Sequence, residues 1–235
     1  MLLDLLQVLA NKSAYSLEYL KLLVAQILMS IPIIMLTLSV HETAHGYIAN
    51  KLGDPTARNF GRLTLNPIKH FDPLGLLLMM TVGYGWAKPV PINTGYFKNP
   101  KRDMAICAAA GPISNLLLAV LFAGLYKLML VGTAAVAIPN MTVYNVLMLT
   151  ALFFQLGVSI NVMLAIFNLI PIPPFDGSRI ALAFLPAHIY FKIQRYERYI
   201  FLGFFLLLLT GFLDGPLSFA RNTVTNLIYR LFGII

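Results

Sequence analysis

The sequence predicts an all-α polytopic membrane protein with about four to six membrane segments and a short re-entrant β-like element. Three observations carry that prediction. Of 235 residues, 59% are hydrophobic and 11% charged, with a mean hydropathy of +0.79, which is more apolar surface than one soluble core of this size can hide. The apolar residues are gathered into uncharged runs, of which Leu22 to Val40 (19 residues) and Met104 to Tyr126 (23 residues) match the roughly 20 residues of a spanning helix. The basic residues are gathered too. Twelve of the seventeen Lys and Arg fall in segments 50 to 70, 88 to 102 and 179 to 198, which the alternation of spans puts on one side of the bilayer, read as the cytoplasmic side. That distribution accounts for the net charge of +8 without a nucleic-acid partner. The lone Cys107 excludes an intramolecular disulfide and a multi-cysteine metal cluster, and its Ala-rich apolar surroundings point to packing.

Taken in order, residues 1 to 21 mix Leu with Asp4, Lys12, Glu18 and Lys21, an interfacial segment or a frayed terminus, without the basic start and cleavage site of a signal peptide. Leu22 to Val40 is the first span, with Pro32 as a candidate kink. Asn50 to Lys69, broken by Gly53-Asp54-Pro55 and Asn66-Pro67, reads as a cytoplasmic loop. Leu74 to Ala87 is apolar for only fourteen residues, too short to cross, so it reads as a re-entrant segment that returns to the same basic side. Within it and beyond, Thr81 to Ile92 sets Gly83, Gly85, Pro89 and Pro91 among β-formers and is a candidate strand edge for an extended peptide, or else an irregular loop. Met104 to Tyr126 spans, with Gly111-Pro112-Ile113-Ser114-Asn115 placing small residues, a kink and an amide inside it. Val131 to Asn145 has no Lys or Arg and should face outward. A helix from about Val146 to Leu169 follows, and Pro171, Pro173 and Pro174 then stop regular structure before Asp176-Gly177. Tyr199 to Leu213 is a shorter run that crosses only with its flanks, and Pro216 to Ile235 reads as interfacial. The whole, 1–235, is read as one membrane-embedded domain, with a core at about 22–179 and further membrane or interfacial helices over 180–235.

Chemistry concentrates at the end of the first span, in Ser39-Val40-His41-Glu42-Thr43-Ala44-His45-Gly46. On a helix, His41 and His45 at i and i+4 share a face and can grip one zinc ion, with Glu42 one step round as a base for metal-activated water. Two neutral imidazoles leave most of the charge of zinc in place, which is costly at membrane depth unless an anion completes the site. Asp176, the first charge after Lys127, is the candidate anion. Taken alone, Asp176 would read as a turn residue before Gly177; beside a two-histidine motif it reads as the third ligand.

His41-Glu42-Thr43-Ala44-His45, together with Asn168-Leu169-Ile170-Pro171-Ile172-Pro173-Pro174-Phe175-Asp176-Gly177, resembles the site-2 protease family of intramembrane zinc metalloproteases. Its HExxH and NxxPxPxxDG motifs are both present without a mismatch, and the likeness covers about Leu22 to Arg179. It is closest in kind to the short bacterial members without PDZ or CBS domains. The resemblance implies that His41, His45 and Asp176 bind a single Zn2+, that Glu42 is the catalytic glutamate, and that Asn168 holds the substrate or the developing oxyanion. An amide donor at Asn168 suits that last role, though a helix-packing asparagine is the alternative.

Other polar residues carry less. Asn115 resembles a recurring family element, and a helix-helix hydrogen bond is at least as good a reading as substrate contact. His70 and His188 lie in basic segments where an interfacial histidine is ordinary, Asp72 before Pro73 reads as a helix cap, and Tyr84, Trp86 and Tyr96 read as interfacial aromatics. The expected function is therefore a zinc metalloendopeptidase in a bacterial cell membrane, its site toward the cytoplasm, cutting single-span membrane proteins in or near the bilayer. The competing class is a membrane protein that binds or transports zinc without proteolysis, and Glu42 separates the two, since a transporter has no use for a base beside the metal. Substrate identity and oligomeric state are left open by the sequence.

Overall fold

The computed structural model describes residues 17–81, 87–134, 138–186, 189, 192–193 and 195–235. The expected interfacial segment up to residue 16, the Gly83 to Trp86 stretch and His188 lie outside the described residues. Among the described residues all regular structure is helical. The helices are α1 (Leu17–Lys51), α2 (Thr56–Asn59), α3 (Pro67–His70), α4 (Pro73–Thr81), α5 (Pro100–Ala134), α6 (Met141–Asn168), α7 (Asp176–Ala183), α8 (Glu197–Leu209) and α9 (Asp214–Leu231).

Three of these, α1, α5 and α6, at 35, 35 and 28 residues, are long and apolar enough to cross a membrane. They pack on one another to make the core, and α7 and α9 lean on it. Their faces are sorted in the sense a bilayer requires. Large apolar side chains such as Leu28, Leu117, Leu121 and Leu128 are exposed, while Ser30, Thr37, His41, Asn115 and Asn161 are buried. Lipid can meet the first set, and the polar atoms of the second are kept from it by neighbouring helices. Along α1 one buried stripe runs Leu23, Ile27, Ser30, Ile34, Thr37, His41, His45, Ala49, so the face that packs on α5 and α6 is the face that carries the histidines.

The helices outrun the apolar windows. A 35-residue helix is about 52 Å long, well beyond the roughly 30 Å hydrocarbon layer. Backbone chemistry sets its end rather than charge. Beyond Lys51, Gly53 adopts φ 106°, and the Asp54 N–H bonds to the Ala49 carbonyl at 2.9 Å, a left-handed glycine terminus. At the other end of the loop, α5 opens on Pro100, where a missing N–H costs nothing. The expected loop at 50–69 thus contains two one-turn helices, and the connection expected to face outward shortens from Val131–Asn145 to the residues between α5 and α6. Asn140 caps α6 by accepting from the Val143 N–H. Asp72 caps α4, accepting from the Gly75 N–H at 2.9 Å, as its place before Pro73 suggests.

Two expectations change. His70 is not an interfacial side chain. It is 1% exposed, and its Nε2 sits 2.7 Å from the Thr64 carbonyl, tying the loop together. The described part of the Thr81–Ile92 region, from Ala87 onward, forms no strand. The N–H of Lys88 bonds to the His70 carbonyl and that of Val90 to Glu42, while Pro89 and Pro91 have none, so over 88–91 no donor remains for a ladder. Further along, α8 is 13 residues long, about 20 Å, and does not reach the length of a crossing on its own.

Candidate metal centre

The centre forms where the C-terminal part of α1 meets the start of α7. His41 and His45 project from adjacent turns of α1 with their Nε2 atoms 3.0 Å apart and their rings nearly perpendicular at 87°. Between α6 and α7, the Pro171–Phe175 turn brings Asp176 back against them. Its Oδ2 lies 3.2 Å from His41 Nε2 and 3.3 Å from His45 Nε2. The turn can close only around a glycine. A Cβ on Gly177 would stand 2.2 Å from the Leu169 carbonyl oxygen, so the Gly of the NxxPxPxxDG motif lets the chain fold onto the end of its own helix.

These three atoms fit a zinc ion. A tetrahedral site with ligand bonds of about 2.0 to 2.2 Å has ligand-to-ligand edges of about 3.3 to 3.6 Å, and the observed triangle of 3.0, 3.2 and 3.3 Å is a slightly contracted face of it. Asp176 Oδ2 is also buried without a hydrogen-bond partner, an orphaned acceptor that a cation would satisfy.

Helix α5 sets the imidazoles from behind. His45 Nδ1 is 2.7 Å from the Cys107 carbonyl, and His41 Nδ1 is 3.2 Å from the Asn115 amide. Between these contacts lies Gly111, where a Cβ would stand 2.5 Å from His45 Nε2 and from His41 Cε1. Cys107, Gly111 and Asn115 are spaced by four, one stripe of α5, and that stripe is the floor of the site. Pro112, which has no N–H for the Ala108 carbonyl, loosens the helix ladder beside it.

Glu42 is buried, and its Oε2 accepts from the Val90 N–H at 2.8 Å, so one carboxylate oxygen is fixed and the other left for chemistry. Thr43 anchors the same turn by donating to the Thr64 carbonyl at 2.6 Å. Glu42, His41, His45 and Asp176 open onto one cleft of about 600 Å³. Asn168 lines it as well, with Nδ2 donating to the Leu164 carbonyl at 2.9 Å and the amide's second hydrogen uncommitted by that bond. The five residues singled out from the sequence therefore share one cleft.

Several of the cleft's residues escape a sequence reading. Val90 matters through its backbone and Cys107 through its carbonyl, which no side-chain pattern reveals. Arg179 lines the cleft and pairs with Glu197 of α8 at 3.5 Å, where the sequence gives it only a share in the charge asymmetry. The far wall includes Phe201, Phe205 and Leu208 of α8, beyond the core boundary expected near 179. Phe175 anchors that wall, stacking edge-on with Phe167 and Phe204 at 4.5 and 5.2 Å. The spacing of Gly111 and Asn115 by four was the one readable signal for the floor.

Comparison with known proteins agrees with this geometry. The family model of Peptidase family M50 matches residues 29–210. The chain is 39% identical over 208 residues to the "Putative zinc metalloprotease YwhC" of Bacillus subtilis (strain 168), covering 86% of this chain and 90% of that one. To Rip2 of Mycolicibacterium smegmatis, which carries the same description, it is 32% identical over 149 residues, 61% of this chain and 52% of that one, so it spans about half the length of Rip2. Rip2 of Mycobacterium tuberculosis (strain ATCC 25618 / H37Rv) matches over the same length at 30% identity. No solved structure matches. With its family match, its zinc-fitting triangle and its membrane-length helices, the chain belongs to Peptidase family M50, the site-2 protease family, and is a zinc metalloprotease.

Proposed function

We propose that the protein is an intramembrane endopeptidase that cuts single-span membrane proteins in or near the bilayer, with His41, His45 and Asp176 as zinc ligands and Glu42 as the catalytic base. The observation that carries this is the convergence of the three ligand atoms and Glu42 on one cleft whose helices present apolar faces outward. Zinc held by His41, His45 and Asp176 would supply the Lewis acidity that makes water a nucleophile near neutral pH. Glu42 takes the proton of that water on the oxygen not engaged by Val90 and delivers it to the leaving amine. The free hydrogen of Asn168 Nδ2 is the donor for the carbonyl oxygen as charge develops on it. Phe167, Phe175, Phe201 and Phe205 give the cleft apolar walls suited to the side chains of a membrane segment.

A substrate helix must unwind before its carbonyls can be attacked. Over 88–91 the segment beside Glu42 offers no N–H for strand pairing, so an unwound peptide there is held by its own donors on carbonyls and by the apolar walls. The concentration of Lys and Arg in three segments supports a cytoplasmic placement of the site in a bacterial cell membrane. Cleavage of this kind is suited to releasing membrane-tethered proteins, as in regulated intramembrane proteolysis.

The test is Glu42→Gln. The variant is expected to keep stoichiometric zinc, measured on purified protein, and to lose cleavage by about 10² to 10⁴-fold. Single-span proteins that accumulate in membranes of cells carrying Glu42→Gln, and not in wild type, identify substrates. Cleavage retained by Glu42→Gln would remove the base from the proposal.

A further inference from the structure

A histidine that binds metal through Nε2 must carry its hydrogen on Nδ1, and that hydrogen needs an acceptor. For His45 the acceptor is plain. The Cys107 carbonyl, 2.7 Å from Nδ1, can only accept, so Nδ1 is the donor and Nε2 faces the triangle with its lone pair. His41 has Asn115 at the equivalent place, with Nδ2 of the amide 3.2 Å from Nδ1. In that orientation the amide donates, Nδ1 is bare, and the ring hydrogen is forced onto Nε2, the atom that faces Asp176.

The tautomer has a remedy in the amide itself. The two ends of a carboxamide have nearly the same shape, and which end points where is decided by the hydrogen bonds each can make. Turned by half a rotation, Asn115 presents Oδ1 to His41, accepts the Nδ1 hydrogen and frees the Nε2 lone pair. We propose that Asn115 is a positioning residue of the zinc site, its Oδ1 accepting from His41 Nδ1–H and holding His41 in the metal-binding tautomer. The inference rests on the zinc metalloprotease reading and adds to it a role for a residue on a third helix.

Asn161 supplies the contrast. It is equally buried, but its Nδ2 donates at 2.8 Å to the Gly157 carbonyl of its own helix, the usual duty of a packing asparagine. Asn115 reaches across from α5 to α1 instead. With Cys107 and Gly111 it completes a stripe in which one residue orients His45, one leaves room for both rings, and one orients His41.

The experiment is zinc affinity of the full-length chain in detergent, by competition with a chromophoric chelator, for wild type, Asn115→Leu and Asn115→Asp. Leu keeps the volume and removes the acceptor, and is expected to weaken zinc about 10 to 100-fold. Asp can accept but not donate, and is expected to bind zinc within about threefold of wild type. A Leu variant that folds and binds within about threefold of wild type overturns the proposal. Should Leu not fold, Asp decides alone: near-wild-type affinity supports the acceptor role, and a loss of tenfold or more shows that the amide's N–H was needed. A wild-type chain that takes up no zinc sinks the metalloprotease reading and this inference with it, whereas a zinc-binding wild type with indifferent variants sinks the role of Asn115 alone.

Discussion

The two halves of the metal site are held in opposite ways. His41 and His45 sit within a 35-residue helix that fixes their separation but not the rotation of their rings, and a different helix, α5, sets that rotation through Cys107, Gly111 and Asn115. Asp176 sits at the start of an eight-residue helix after a proline-rich turn, and its position is set by its own neighbours in sequence: Gly177 closing on Leu169 and Ile170, and Phe175 packed on Phe167. A rigid element thus needs outside help to aim its ligands. An irregular element builds its own support from the residues that make it irregular.

The largest effect expected on either half is the loss of the anion. Asp176→Ala removes the only charge among the three ligand side chains and leaves two imidazoles to hold a dication against membrane-depth desolvation. Metal analysis of the purified variant should find no zinc, and proteolysis should fall below detection. Zinc retained at wild-type stoichiometry would mean that the carboxylate half is not part of the site, and the comparison would collapse.

The two glycines sharpen it. At Gly111 a methyl group meets imidazole atoms at 2.5 to 2.6 Å, and at Gly177 it meets backbone at 2.2 to 2.7 Å. Gly111→Ala should therefore push the rings off the metal and cut zinc affinity by at least tenfold while the bundle melts near the wild-type temperature, because rings can turn. Gly177→Ala should lower both zinc binding and thermal stability, because the helix end and the turn cannot both stay in place. Thermal melting alongside zinc titration separates the two; equal losses of stability would erase the distinction between aiming a ring and building a turn.

The same contrast governs what could be read in the sequence. The candidate ligands and Glu42 are legible as a pattern because the chemistry demands those side chains at i, i+1 and i+4 and an anion elsewhere, and the proline run precedes that anion. The three long helices are legible as uncharged runs. Their ends are not, since Gly53 and Pro100 terminate them through backbone geometry well outside the apolar windows. The supports of His41 and His45 are legible only in part: Asn115 stands out as an amide for a helix-helix hydrogen bond but its partner, 74 residues away, does not, and the Cys107 contact uses a carbonyl every residue has. The α8 wall is hidden for a related reason. Phe201 and Phe205 look like any apolar helix until Phe175 places the turn against them.

The smallest effect expected bears on whether the turn half is as self-supporting as it looks. Arg179, in α7 just after Asp176, pairs with Glu197 at the start of α8, the one ion pair described between the turn half and a later helix. Its N···O distance is 3.5 Å and both side chains keep a quarter or more of their exposure, so solvent screens the attraction and each side chain loses rotamer freedom to hold it. Glu197→Gln should therefore change stability by less than about 1 kcal/mol. If Gly177 and Phe175 hold Asp176 by themselves, zinc affinity in that variant should stay within about twofold of wild type, while the cleft wall formed by α8 becomes free to shift and cleavage changes more than binding. A tenfold loss of zinc on breaking so weak a pair would show that α8 aims the carboxylate as α5 aims the imidazoles, and the two halves would then be built alike.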